Sequence, residues 1–235
     1  MNAHESEPTS SKAKDILRKV VPVFLRQQRG IVRRLGPRAG RVYAALRILD
    51  VLGMRTANQK LAPATARSFV FVCFGNIMRS AMAESLMRKA IHEAAPEESS
   101  QIRIVSAGLH ASPGREAHPW AQEAAADLGI SLAEHRAKLL TRDMVSHADC
   151  VFAMDFQNKA ELLTLYPEAQ DKILMLSAYA EGAWKDREIP DPYLGDLEVT
   201  RHCGRQLQIC VRNLLSSTVC VSRELPLAVD PQPAR

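Results

Sequence analysis

Val70-Phe-Val-Cys-Phe-Gly-Asn-Ile-Met-Arg-Ser-Ala-Met-Ala-Glu84 decides how the rest of the chain is read. The apolar run Phe69 to Phe74, rich in Val and Phe, predicts a buried strand. From Ala81 to about Ala95 the pattern turns helical, with Met82, Leu86, Ala90 and Ile91 on one face. Between the two lies a tight turn, Gly75 to Ser80. Cys73 stands at the strand's end and Arg79 at the helix's start, which is a Cys-x5-Arg-Ser spacing.

That spacing suits an oxyanion. A strand-to-helix loop can aim successive backbone N–H groups, here those of Phe74, Gly75, Asn76, Ile77 and Met78, at one point. The helix N-terminus adds donors and partial positive charge. Arg79 adds a planar fork that matches two phosphate oxygens. Gly75 and Asn76 tolerate positive φ. A Cys at the floor of such a cradle is expected to be a thiolate at neutral pH. Ser80 is placed either to donate to that thiolate or to cap the helix. A lone Cys on an apolar strand is most often a small core hydrophobe. Here strand, turn, Arg-Ser and helix all agree on the reactive reading.

Strand and helix signals continue to alternate downstream. Strands are expected at Ile102–Ser106, Cys150–Met154 and Lys172–Leu176. Helices are expected at Trp120–Leu128, Thr141–Ala148, Phe156–Leu165 and Leu197–Leu215. This predicts an α/β fold, a four-stranded parallel sheet with helices on both faces. Ligands in such folds bind at the carboxyl ends of strands, where Cys73 sits. Glu188-Ile-Pro-Asp-Pro-Tyr-Leu-Gly195 is the second chemical signal. Asp191 between two prolines lies on a stiff loop. A loop carboxylic acid can protonate the leaving oxygen of a phosphate ester.

The chain has 235 residues and a net charge of +5, unevenly spread. Residues 1–67 carry 14 Lys and Arg against 4 Asp and Glu, and the remainder carries 17 against 22. A basic arm, 1–67, therefore precedes a mildly acidic domain, 68–217, with a loose Pro-containing tail, 218–235. Residues 1–11 are polar and expected to be disordered. In the arm, Leu17, Val20, Val21, Phe24, Ile31 and Leu35 recur at helical spacing, with Pro22 as a kink or start. Gly36-Pro37 breaks the pattern, and a second helix is expected from Ala39 to Leu52, with Val42, Ala45, Leu46 and Leu49 inward and Gly53 as its cap. Asn58 to Arg67 reads as a linker. The arm's helices suit packing on the domain or docking to an acidic partner. They also suit an anionic membrane surface. No nucleic acid is expected, because the arm holds one aromatic pair, Phe24 and Tyr43, and no recognised module.

Five cysteines form no even framework, and the N-terminus fits neither a signal peptide nor a membrane span. A cytoplasmic location, peripheral to the inner membrane face if the arm binds lipid, is the expectation. No metal-ligand cluster and no cofactor motif is seen.

Cys73-Phe-Gly-Asn-Ile-Met-Arg-Ser80, with the flanking Met82-Ala-Glu84, resembles the phosphate loop of the low-molecular-weight protein tyrosine phosphatases. Asp191-Pro-Tyr193 resembles the same family's acid loop. The resemblance covers the domain from Ser68 onward and leaves the arm outside. It implies a flavodoxin-like fold and a metal-free phosphocysteine mechanism, with Cys73 as nucleophile, Arg79 as phosphate clamp and Asp191 as general acid. Tyr193 would line the mouth, and Leu194 stands where relatives often carry a second Tyr. The exopolysaccharide-associated bacterial members have a similar gap from Ala107 to Pro119, and their apolar wall residue aligns near Ser112. The resemblance also gives His135 the role of buttressing Asn76, and His118 stands where an Asp is usual. Met78 replaces a second Cys found in many eukaryotic relatives, so a disulfide partner for Cys73 is missing there. The implied substrate is a phosphotyrosine protein, by analogy a tyrosine kinase of polysaccharide export. Two alternatives stay open. A thioredoxin-coupled arsenate reductase needs two relay cysteines. Cys203 and Cys210 follow the Asp-Pro loop instead of preceding it, and Cys150 has no partner at Gln157. The other is a weakly catalytic phosphotyrosine-binding scaffold.

Overall fold

The computed structural model describes residues 9–54, 60–185 and 187–218, with side chains from Gln28 onward. The expected disordered start and loose tail fall almost wholly outside the described residues, as do the side chains of Leu17, Val20, Val21 and Phe24. Helix already begins at Thr9, however, inside the segment read as disordered. The elements are α1 (Thr9–Val51), β1 (Ser68–Cys73), α2 (Arg79–Ala94), β2 (Arg103–Gly108), α3 (Pro119–Asp127), α4 (Arg142–Ser146), β3 (Cys150–Ala153), α5 (Phe156–Leu165), β4 (Ile173–Met175) and α6 (Leu197–Thr218).

The four strands form one parallel sheet in the order β2-β1-β3-β4. Strand order reverses between β1 and β3, so the loops after these two strands open a crevice at the sheet's carboxyl edge. Side chains along β1 alternate between two cores, as a period of two requires. Phe69, Phe71 and Cys73 join Phe152 and the inner faces of α2, α3 and α6. Val70 and Val72 join Val151, Ala153 and the inner face of α5. On the first face, Phe71 and Phe152 stack with centroids 5.6 Å apart. Thr141 caps α4 by accepting from the Met144 amide, as expected.

The second face is where the arm belongs. α1 is broken at Gly36, which takes φ 75° and ψ 178°. Its two limbs fold back on one another. A Cβ on Gly40 would stand 2.7 Å from the Val32 carbonyl oxygen, so only glycine permits this approach. Farther along, the Tyr43 hydroxyl donates to Gln28 at 2.6 Å. Ile31 and Tyr43 are buried in the same core as Val70 and Val72, with Val32, Leu35, Val42 and Leu46 packed around them. The arm thus supplies a helical layer beside α5. Burying each large apolar side chain is worth about 1.5–3 kcal/mol, which holds these limbs against the domain. The inward stripe differs from the expected one at two positions: Ala45 is exposed and Tyr43 is buried. The periodic pattern misassigned them because Tyr43 needs a polar partner for its hydroxyl, and Gln28 provides it. Gly53 does cap the helix, at φ 69°, and the Met54 amide reaches back to Leu49. The linker is not free either. The Ala62 amide donates to the Tyr179 hydroxyl at 2.7 Å, and Ala66 is buried.

Candidate active site

The loop from Cys73 to Ser80 sits at the end of β1 with Cys73, Asn76, Arg79 and Ser80 buried. Asn76 is its hub. This residue alone in the loop takes positive φ, at 54°. Gly75 does not, so the expectation of two such positions holds for one. The Asn76 side-chain amide donates to Ser80 Oγ and Ser106 Oγ, both at 2.9 Å, and its Oδ1 accepts from the Lys138 amide at 2.8 Å. His135 Nε2 donates to the Asn76 carbonyl at 2.6 Å, which places His135 against the residue expected. Ser106 in turn donates to Glu84 at 2.6 Å. Because Ser80 Oγ accepts from Asn76, its own proton is available to Cys73 Sγ, 3.0 Å away. The Asn76 backbone amide also points at that sulfur, at 3.3 Å. Of the two roles open to Ser80, the geometry favours the contact with Cys73 over the helix cap. Met78 occupies the cap position of α2 with no side-chain bond, and no acidic side chain lies in the first turn. Such an N-terminus is suited to a bound anion.

Arg79 is the most buried charge of the site, at 2% exposure. Its Nη1 donates to Asp155 Oδ2 at 2.6 Å and to the Ile189 carbonyl at 3.0 Å. Nη2 lies 3.0 Å from Asp191 Oδ2. Burial alone would disfavour the guanidinium's charge. Asp155, then Asp191 and Cys73, outweigh that and hold its pKa above the usual arginine value. Asp191 is half exposed and opens a short turn in which its Oδ1 accepts from the Tyr193 amide. Cys73, Arg79 and Asp191 therefore meet across the crevice between β1 and β3.

Two residues that hold this arrangement were not singled out from sequence. Asp155 follows β3 and caps α5, with Oδ1 accepting from Asn158 at 2.7 Å while Oδ2 holds Arg79. Glu188 accepts from the Phe156 amide at 2.5 Å, at the same helix end. The Asp155 signal was present as an N-cap letter before an apolar run, but nothing local reveals its second partner.

The mouth carries aromatic groups. Phe74 is 53% exposed and lies against the His110 ring, with centroids 4.6 Å apart. Tyr193 meets the His118 ring edge-on at 5.9 Å. His110 braces Phe74 and pairs with Glu161 at 2.6 Å. Ser112 is exposed, and its carbonyl closes a turn with the Arg115 amide. His118 replaces the usual Asp by function: its Nδ1 accepts from the Trp120 amide at the start of α3. Burial, then Arg115, lowers its pKa and favours the neutral ring this bond needs. Ile77 and Met78 are buried in the core on the α2 side of the sheet.

The end of β2 presses on the loop. A Cβ on Gly108 would stand 2.8 Å from the Phe74 carbonyl oxygen and 2.9 Å from both the Asn76 amide nitrogen and Ala111 Cβ. Backbone atoms cannot give way cheaply. Gly108→Ala is expected to displace the loop, lowering kcat/KM about 10- to 100-fold and stability by about 1–3 kcal/mol. Steady-state assays on p-nitrophenyl phosphate and thermal unfolding check this.

Cys150, Cys203 and Cys210 are buried, and burial pushes each thiol up to about 12. None is a ready nucleophile for a disulfide relay. Among the described residues no group of His, Cys, Asp and Glu is arranged to hold a metal ion, and no helix is long and apolar enough to cross a membrane.

Residues 68–225 match the family model for low molecular weight phosphotyrosine protein phosphatase. Among curated relatives, the chain is 33% identical over 145 residues to a protein-arginine-phosphatase of Bacillus subtilis, covering 62% of this chain and 92% of that one. It is 35% identical over 142 residues to the probable low molecular weight protein-tyrosine-phosphatase EpsP of Ralstonia nicotianae, covering 60% and 89%. Among solved structures, the tyrosine phosphatase amsI of Erwinia amylovora superposes with a TM-score of 0.59 at 26% identity, covering 71% of this chain and all of that one. Cys73, Arg79 and Asp191 lie within the matched span, and the family model establishes that the chain belongs to the low molecular weight phosphotyrosine protein phosphatase family of phosphate monoester hydrolases.

Proposed function

We propose that this protein removes phosphate from phosphotyrosine in proteins. Cys73 is the nucleophile, Arg79 the phosphate clamp and Asp191 the general acid. The observation that carries the reading is the 3.0 Å contact of Arg79 with Asp191 beside the Cys73 loop. It supports Asp191 as the acid, since its carboxyl lies at the edge of the loop, where a leaving oxygen would stand. Cys73, as thiolate, attacks phosphorus in line, and the P–O bond to the leaving group breaks. Asp191 gives its proton to that oxygen. Arg79 and the amides of Phe74, Gly75, Asn76, Ile77, Met78 and Ser80 hold the equatorial oxygens through the transition state. Asp191, now a carboxylate, takes a proton from water as the water attacks phosphocysteine. Inorganic phosphate leaves and the thiolate returns. In this reading Asn76 and His135 hold the loop's shape, and Phe74 and Tyr193 flank the substrate ring. Ser112 lies on the polar side of the mouth.

The catalytic unit is taken as residues 68–217, with 1–67 as its extension and 218–235 as a tail. The resemblance to the exopolysaccharide-associated bacterial members supports a substrate among the tyrosine kinases of polysaccharide export. Arg29, Arg33, Arg34, Arg38 and Arg41 point away from the buried stripe, which supports docking to an anionic membrane or an acidic partner.

The similarity to a protein-arginine-phosphatase makes phosphoarginine the competing substrate. Both are offered in one assay, a phosphotyrosine peptide and a phosphoarginine peptide. We expect faster release of phosphate from phosphotyrosine, lost in Asp191→Asn. Preference for phosphoarginine would overturn the substrate assignment.

A further inference from the structure

The arm reaches the acid loop through one side chain. Arg47 Nη2 lies 2.7 Å from Glu188 Oε2, and its guanidinium stands 5.0 Å from the Phe156 ring centroid. Its Nε donates to the Tyr43 hydroxyl at 3.0 Å, and Nη1 lies 3.4 Å from Asp50. Tyr43 is itself fixed in the core beside the sheet. The Arg47 side chain is thus anchored on its own helix before it meets the domain. Burial works against its charge, and Glu188, Tyr43 and Asp50 together outweigh that and hold its pKa above the usual arginine value.

Glu188 is three residues from Asp191 and joined to the catalytic groups at close range. Its other oxygen accepts from the Phe156 amide. Phe156 follows Asp155, which holds Arg79. The next residue, Ile189, donates its amide to Met154 at 3.0 Å and accepts from Arg79 through its carbonyl. Arg47, Glu188, the end of β3 and the start of α5 therefore form one continuous set of polar contacts ending at Asp191 and Arg79.

We propose that Arg47 is a positioning residue for the general acid. It holds Glu188, and with it the loop that aims Asp191 at the leaving oxygen. The inference rests on the reading of Asp191 as that acid. It makes the basic extension a working part of the catalytic domain's site.

Mispositioning of an acid is felt most by substrates whose leaving group cannot depart as an anion. The full-length protein is compared with Arg47→Met, Glu188→Gln and the double variant on phenyl phosphate and p-nitrophenyl phosphate. Asp191→Asn serves as reference, and Arg41→Met, an exposed arm residue, as control. We expect Arg47→Met to lose about 10-fold in kcat/KM on phenyl phosphate but less than about 3-fold on p-nitrophenyl phosphate. Glu188→Gln should show the same bias, the double variant should fall no further than the worse single one, and Arg47→Lys should recover part of the loss. Equal losses on both substrates, or none, would overturn the proposal while Asp191→Asn still shows the bias. If Asp191→Asn itself shows no bias, the acid assignment falls and the proposal with it.

Discussion

Cys73→Ser is expected to abolish turnover, with kcat on p-nitrophenyl phosphate reduced by about 10⁴-fold or more. The reason lies in what surrounds the sulfur. Its hydrogen-bond partners are the Asn76 amide and the Ser80 hydroxyl, which can donate to a thiolate. Neither can remove a proton from an alcohol. A serine hydroxyl needs a general base, and in the proposed mechanism Asp191 enters this step as the protonated acid. The fold should survive, because serine still accepts from the Asn76 amide. Stability is expected to stay within about 1 kcal/mol of the parent. Circular dichroism and thermal unfolding separate loss of chemistry from loss of structure. Residual activity within about tenfold of the parent would mean that another group is the nucleophile.

Asp155→Ala is expected to cause the largest loss of stability. It leaves Arg79, which is 2% exposed, without its closest counter-charge. Removing one partner of a buried pair costs about 3–5 kcal/mol, and Asp191 with the Ile189 carbonyl offsets part of it here. The same change deletes the cap on Asn158, worth about 1 kcal/mol. The expected total is about 2–4 kcal/mol by chemical denaturation, with kcat/KM down about 10²-fold as the guanidinium loses its orientation. Asp155→Asn keeps an acceptor for Asn158 but removes the charge, so it should fall between. A loss below about 0.5 kcal/mol for Asp155→Ala would contradict this account of the clamp.

The legible parts of the molecule were those in which neighbouring residues explain one another. Strand, turn and helix around Cys73 are local, and the amphipathic pattern of α5 marked Phe156–Leu165 to the residue. His135 was legible only through family resemblance, since its contact with Asn76 spans 59 positions. Asp155 was invisible for the same physical reason. A capping Asp looks alike whether or not its second oxygen holds an arginine 76 positions away. Arg47 was hidden among the arm's other basic residues, of which Arg29, Arg33, Arg34, Arg38 and Arg41 face solvent. What sets it apart is a tertiary contact with Glu188 and Phe156. Gly75 looked like a positive-φ position because glycine permits one, but permission is not use. Asn76 takes that conformation instead, because its side chain gains three hydrogen bonds by doing so. The need for glycine at position 108 emerges only from the close approach of β2 to the loop.

The central claim is that catalysis runs through a phosphorylated Cys73. Asp191→Asn should let this species accumulate on p-nitrophenyl phosphate. A good leaving group departs without an acid, while the attacking water still lacks its base. Rapid quenching followed by peptide mass analysis is predicted to find one phosphoryl group on the peptide containing Cys73, and none in the Cys73→Ser, Asp191→Asn double variant. Continued turnover with no phosphoryl group on that peptide, or with the group on another residue, would contradict the account.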